Sequence, residues 1–146
     1  MEIKLEELNS GVDYKQYLGL MAQLSVVDID AVTEDSFEKQ LEIIRSNPNH
    51  KIIVGKDGLK VVGSITILME PKFIHNISKV AHIEDVVVDV GYRSGGIGKL
   101  LLLKAIEVSK ENGCYKAILD CSEKNVGFYQ KLGFVVKESQ MALYFK

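Results

Sequence analysis

The chain has 146 residues, with 18 Lys and Arg against 20 Asp and Glu, a net charge of −2 and 47% hydrophobic residues. That suffices for one domain with one core, and it excludes a general electrostatic pull toward nucleic acid or anionic membrane, so any anion site must be local. No apolar run approaches the roughly 20 residues of a transmembrane helix, and MEIKLEELNS carries no signal-peptide core; the expectation is a cytoplasmic protein, without nucleic-acid or membrane partners, whose Cys114 and Cys121 stay reduced.

In chain order, MEIKLEEL alternates Ile3 and Leu5 with charges and predicts a first strand. Tyr14, Leu18 and Met21 stand at helical spacing, in a helix that Gly19 loosens. Residues 26–32 read as a loop. Thr33 caps the next helix, with Glu34 and Asp35 in its first turn and Phe37, Leu41 and Ile44 facing inward, until SNPN at 46–49 stops it. KIIV and LKVVGSITILM flank GKDG as a hairpin. Residues 79–90, KVAHIEDVVVDV, form a further strand, and a helix then runs to Gly113 with Leu100, Leu101, Ala105 and Val108 on a wide apolar face. YKAILDC reads as a buried strand. SEKNVGFYQKLG is a short helix capped by Ser122 and closed by Gly133, and FVVKE and QMALYF read as two last strands. The order is mixed α and β in one domain, 1–146, without repeats or linkers.

The segment YRSGGIGK concentrates glycines and cations just before a long apolar helix. A helix start carries orphan N–H groups and the positive end of the dipole, and glycine lets another molecule approach that backbone closely. The arrangement asks for an anion, above all a phosphate. It is neither a P-loop nor a dinucleotide fingerprint. Arg93-Ser94-Gly95-Gly96-Ile97-Gly98 has the form R-x-x-G-x-G, and NVGFYQKLGF follows downstream after an intervening strand.

These two segments resemble the acetyl-coenzyme A loop and the N-x-x-[FY]-Y-x-x-x-G-[FY] pattern of the GNAT acetyltransferases. With KFIH at 72–75, HIEDVVVD at 82–89, GCYKAILDCSEKNVGFYQKLGF at 113–134 and QM at 140–141, the sequence is similar to the eukaryotic glucosamine-6-phosphate N-acetyltransferases, densely over 72–141 and loosely before. The resemblance implies the GNAT fold, an α/β domain with a mostly antiparallel central sheet flanked by helices. It implies direct acetyl transfer from acetyl-coenzyme A to the 2-amino group of glucosamine 6-phosphate, a step toward UDP-N-acetylglucosamine, in a homodimer and without a metal. The alternatives are a GNAT enzyme for another small or protein amine, or a non-catalytic coenzyme A-binding module.

By the same resemblance, the backbone of Val86, Val87 and Val88 serves the pantetheine arm and the acetyl carbonyl, though valines there also suit a buried strand. Arg93, Ser94, Gly95, Gly96, Ile97, Gly98 and Lys99 hold the pyrophosphate, while Lys99 equally suits a solvated helix position. Asn125 contacts the cofactor, and Tyr129 donates to the departing sulfur; the competing reading of Tyr129 is a packed aromatic, with Phe128 the residue assigned to the core. Ser25, Lys72, Phe73, Ile74, His75, Glu84, Asp85 and Val86 are carried over as acceptor-binding residues. Asp120 orients the amine through its backbone carbonyl, and Cys121 is structural. Strand alternation sends Glu84 and Asp85 to opposite faces. His75 and His82 lack a third ligand at metal spacing. One departure stands out: MALYFK offers no arginine where family members place one for the sugar phosphate.

Overall fold

The computed structural model describes residues 1–146. Five strands form one sheet in the order β1 (Ile3–Glu7), β2 (His50–Asp57), β3 (Lys60–Pro71), β4 (Lys79–Val88) and β5 (Cys114–Ile118). The first four pair antiparallel and β5 joins β4 in parallel. A parallel partner needs a crossover, and α4 (Ile97–Glu111) supplies it. The remaining helices are α1 (Tyr14–Met21), α2 (Glu34–Ser46) and α5 (Val126–Gln130), while α3 (Ile74–Ile77) is a single left-handed turn.

Two apolar layers sandwich the sheet. Ile97, Leu101, Leu102, Ala105 and Val108 of α4 pack on Val62, Ile65, Ile67 and Met69 of β3 and on Ala81 and Ile83 of β4. On the other face α1 and α2 bring Tyr17, Leu20, Phe37 and Leu41 against Ile52, Val54, Val61 and Val87. Strand β3, central and buried on both faces through most of its length, is accordingly a nearly continuous apolar run. The close approach of α4 depends on Gly63, where a Cβ would lie 2.9 Å from a Leu101 methyl and 3.0 Å from Ile97.

Thr33 caps α2 as its sequence requires. Its Oγ1 accepts from the Ser36 N–H at 3.1 Å, and its own N–H donates to Ser36 Oγ at 3.1 Å. Asp13 caps α1, accepting from the Gln16 N–H.

The expected helix α1 is present and continuous across Gly19; its buried residues are Tyr17 and Leu20, with Tyr14, Leu18 and Met21 partly buried beside them. Several local expectations are corrected. The β2–β3 turn is shorter than GKDG: Lys56 and Asp57 still pair with Val61 and Lys60. Leu100 is largely exposed on α4. Strand β5 is a half-exposed edge because nothing in the chain pairs beyond it. Ser122 stands at a helix start but its side chain makes no capping bond, and Glu123–Asn125 form a 3₁₀ turn ahead of α5. FVVKE and QMALYF form no strand in the chain's own sheet: Val135, Val136, Met141, Leu143, Tyr144 and Phe145 are all exposed. Their alternating apolar pattern is strand-like, but a strand forms only where a paired edge accepts it.

Candidate active site

A wedge opens at the end of the sheet. The β4–β5 ladder stops at His82 opposite Ile118, while β4 continues to Val88. From Ile83 to Val88, over about 17 Å of strand, β4 is paired only with β3 and shows an open backbone edge on its other side. The strand is also irregular there. Val87 faces Ser64 and Glu84 faces Thr66, so Asp85 and Val86 together stand opposite Ile65. This is a β-bulge, with Asp85 held at φ 50°, a left-handed conformation that disfavours a residue with a side chain. Simple alternation from Glu84 to Asp85 fails at this point, and both carboxylates are exposed. Val87 is buried under α1, whereas Val86 and Val88 are half-buried against the α4 side of the core. Their side chains therefore pack while the edge of their strand stays open.

At the wide end of the wedge lies the glycine loop. Gly96 is the N-cap of α4 at φ 86°, and a Cβ built there would meet nothing within 4 Å, so the loop leaves open space in front of the helix start. The ladder of α4 begins with the Leu100 N–H donating to Gly96 O at 3.1 Å, and the earlier N–H groups have no partner within the helix. Ser94 is another left-handed residue, at φ 68°. Arg93 is turned back toward β4, its Nε donating to Val88 O at 3.1 Å. Arg93 and Lys99 are exposed and neither forms an ion pair. The helix dipole, N–H groups without a helix partner and the unpaired Lys99 are what this loop offers an anion, with the Arg93 side chain tied back to β4.

The other flank is formed by the chain after β5 and by α5. A Cβ on Gly98 would sit 3.4 Å from the Phe128 ring and 3.7 Å from Val88, which brings α5 against the helix start. Phe128 is partly exposed at this junction, not a core residue; Tyr129 instead is the half-buried ring, edge-on to Phe128 at 5.0 Å and to Phe134 at 6.0 Å. The Tyr129 hydroxyl makes no hydrogen bond within the chain. Burial first, then the neighbouring Cys121 and Asp120, push its pKa above the ordinary phenol range; like any phenol it carries its proton at neutral pH. Asp120 also acts on Glu84 across the wedge: although the residue is exposed, partial desolvation by the wedge walls, then Asp120 and Asp85, raise its carboxyl above the usual range. Asn125, at the N-cap of α5, is exposed.

Not every expected acceptor residue joins this group. Lys72, Phe73, Ile74 and His75 lie at the opposite end of β4, before Lys79, about 17 Å of strand from Glu84. There Lys72 pairs with Glu70 at 3.2 Å, and the His75 ring stacks on Tyr115 at 3.9 Å. His75, Asn76 and Ile77 form a left-handed turn at φ 53°, 60° and 59°, with Phe73 and Ile77 exposed. Ser25 is exposed just beyond α1, two residues past Gln23, which accepts from the Val90 N–H and donates to Asp89 Oδ2. Gln23 and the buried Tyr17–Ser64 pair, with Oη–Oγ at 3.1 Å, escape a sequence reading; they join segments 47 to 67 residues apart. No group of three or more metal-ligating side chains is present.

Comparison with known proteins places this geometry. Residues 20–134 match the Acetyltransferase (GNAT) family. Glucosamine 6-phosphate N-acetyltransferase of Arabidopsis thaliana is 37% identical over 145 residues, covering 97% of this chain and 96% of that protein. The glucosamine 6-phosphate N-acetyltransferase of Trypanosoma brucei brucei is 51% identical over 84 residues, which cover 58% of this chain and 57% of that one. The crystal structure of the Arabidopsis thaliana enzyme superposes over 100% of both chains with a TM-score of 0.95 at 36% identity.

Proposed function

Because the chain belongs to the GNAT acetyltransferase family, we propose that its wedge takes acetyl-coenzyme A and that the protein acetylates the 2-amino group of glucosamine 6-phosphate. The products are N-acetylglucosamine 6-phosphate and coenzyme A, a step toward UDP-N-acetylglucosamine in the cytoplasm. The observation that carries the reading is the open edge of β4 between the glycine loop and Tyr129. It offers backbone groups to an amide-bearing arm in the manner of an added strand. Arg93, Ser94, Gly95, Gly96, Ile97, Gly98 and Lys99 would hold the pyrophosphate, and Asn125 would contact the cofactor from the opposite flank.

The chemistry then follows from position. The backbone of Val86, Val87 and Val88 would hold the pantetheine arm and polarise the thioester oxygen. The neutral amine attacks the carbonyl carbon; the C–N bond forms and the C–S bond breaks. The amine gives up one proton and the leaving sulfur gains one, with the Tyr129 hydroxyl as donor to the developing thiolate. A sugar amine is less basic than a lysine, so positioning counts for more than a strong base. Glu84, Asp85 and Asp120 would bind and orient the amino sugar, with Ser25 near its phosphate.

Lys72 and His75 are too far along β4 to touch the same wedge, so their contact with the sugar phosphate would be made in the site of a second copy. A homodimer also suits the exposed apolar residues of the C-terminal segment and the open edge of β5, since an unpaired edge beside an unpaired apolar strand-like segment invites exchange. Light scattering should give twice the chain mass, and a chain ending at Phe134 should give one; a full-length monomer would remove the cross-copy role of Lys72 and His75.

The test of the activity is a thiol-release assay over a panel of amines, with the product identified by NMR. Acetyl on the sugar nitrogen of glucosamine 6-phosphate is the expected result. Preference for a polyamine or a peptide amine would overturn the substrate, and thiol release with no amine at all would leave a binding module.

A further inference from the structure

Helix α1 is fastened to the sheet by polar side chains as well as by its apolar face, and each fastening lands on an irregular place. The Gln16 side chain donates to Val61 O at 2.7 Å and accepts from Val61 N at 3.1 Å, beside the register shift of the β2–β3 ladder. Gln23 holds Val90 and Asp89, in the turn between β4 and the glycine loop. Between them Tyr17 meets Ser64, the last β3 residue in register before the β4 bulge. Gln16 and Tyr17 are neighbours in the first turn of α1 and Gln23 lies in the turn just past its C-cap Ala22, so the helix is held at both of its ends.

The Tyr17–Ser64 pair differs from the other two fastenings in its surroundings. Tyr17 is 6% exposed and Ser64 1%, among Leu20, Phe37, Val61 and Val87. Two apolar side chains would fill that space, and replacing both partners of a buried hydrogen bond by apolar groups is often nearly neutral for stability. What a hydroxyl pair adds is direction. Ser64 is paired with Val87, and the next residues on β4 are Val86 and the left-handed Asp85. A backbone in that region persists only where its surroundings hold it. The Asp85 charge also reaches the phenol, adding to burial in raising its pKa.

We infer that Tyr17 and Ser64 are positioning residues: their buried hydroxyl pair sets α1 against the β4 bulge and so fixes the direction in which Asp85 and Val86 present their backbone to the wedge. The inference rests on the reading of that wedge as the acetyl-transfer site. Neither side chain touches a reacting atom. They act through the bulge, which would face the thioester carbonyl.

The test uses Tyr17→Phe, Ser64→Ala and the double variant, with melting, steady-state kinetics and backbone amide NMR on the full chain. The double variant should melt close to wild type, because no orphan hydroxyl is left. Its Asp85 and Val86 amide signals should shift, and kcat should fall about tenfold, with KM for acetyl-coenzyme A changed less than about twofold. The two singles should be non-additive with the double in kcat. Should the double variant fail to fold, Tyr17→Phe alone carries the same amide and kcat readouts. Unmoved amides, shifted amides with full kcat, or a kcat loss that vanishes well below the melting transition would each overturn the inference. If the wild-type protein acetylated no amine, the functional reading would fall, while the amide signals would still decide whether the pair sets the bulge.

Discussion

Replacing Tyr129 by phenylalanine separates chemistry from packing. The ring is half-buried and keeps its edge-on contacts with Phe128 and Phe134 when the oxygen is removed. The oxygen has no hydrogen-bond partner within the chain, so its loss breaks no bond of the folded state. Stability should therefore stay within about 0.5 kcal/mol of wild type, or rise slightly as a partly desolvated polar atom disappears. Activity should not be spared. The phenol carries its proton at neutral pH, as a phenol does, and burial with Cys121 and Asp120 shifts its pKa further upward, so it can donate to negative charge developing on sulfur. One donor to a developing anion contributes roughly tenfold to a thousandfold in rate, about 1.4 to 4 kcal/mol. Because that bond is stronger in the transition state than in the ground state, kcat should fall while KM for either substrate moves little. Melting curves and steady-state thiol release on the two proteins decide it. Full kcat in Tyr129→Phe would leave the residue as a packed aromatic and refute the reasoning.

The other predictions probe the loop, the core and the turn between them. Gly98→Asp tests the anion site better than a change at Gly96, whose φ of 86° would strain any side chain; it should keep its melting temperature but lose at least about tenfold in coenzyme A affinity by calorimetry, and unchanged affinity would sink the pyrophosphate role. Gly63→Ala forces a methyl into 2.9 and 3.0 Å contacts with Leu101 and Ile97, and denaturant unfolding should show a loss of about 1–3 kcal/mol. Asp89 is held below the usual carboxylate range chiefly by the Gly91 N–H, then by Gln23 and Lys60. Its charge therefore stabilises the fold above the unfolded-state pKa, and that stabilisation is lost as pH falls through the lowered folded value. Asp89→Asn should melt below wild type at neutral pH and converge with it in acid; an offset independent of pH would contradict the assignment.

Much of the fold was legible because its signals are local. The alternation of β1, the capping of α2 at Thr33 and the long apolar face of α4 need no knowledge of partners. The glycine loop was legible for the same reason: its chemistry lies in consecutive residues at a helix start. What the sequence hid depends on pairing. The bulge at Asp85 breaks the alternation that would send Glu84 and Asp85 to opposite faces, and it is defined only by register against β3. Lys72 and His75 lie close in sequence to Glu84, yet an extended strand carries them to the far end of the sheet. The segments around Val135 and Leu143 have a strand's pattern but join no strand of this chain, although β5 leaves an edge open. Tyr17 and Ser64 are ordinary residues until the fold brings them 3.1 Å apart.

The substrate assignment is tested most directly by the ratio of kcat/KM for glucosamine 6-phosphate to that for glucosamine. A sugar phosphate held by charge-assisted bonds should make the phosphorylated sugar better by well over tenfold, since about 1.4 kcal/mol already gives that factor. Equal values for the two sugars would mean that no phosphate is recognised, and would contradict the account at its centre.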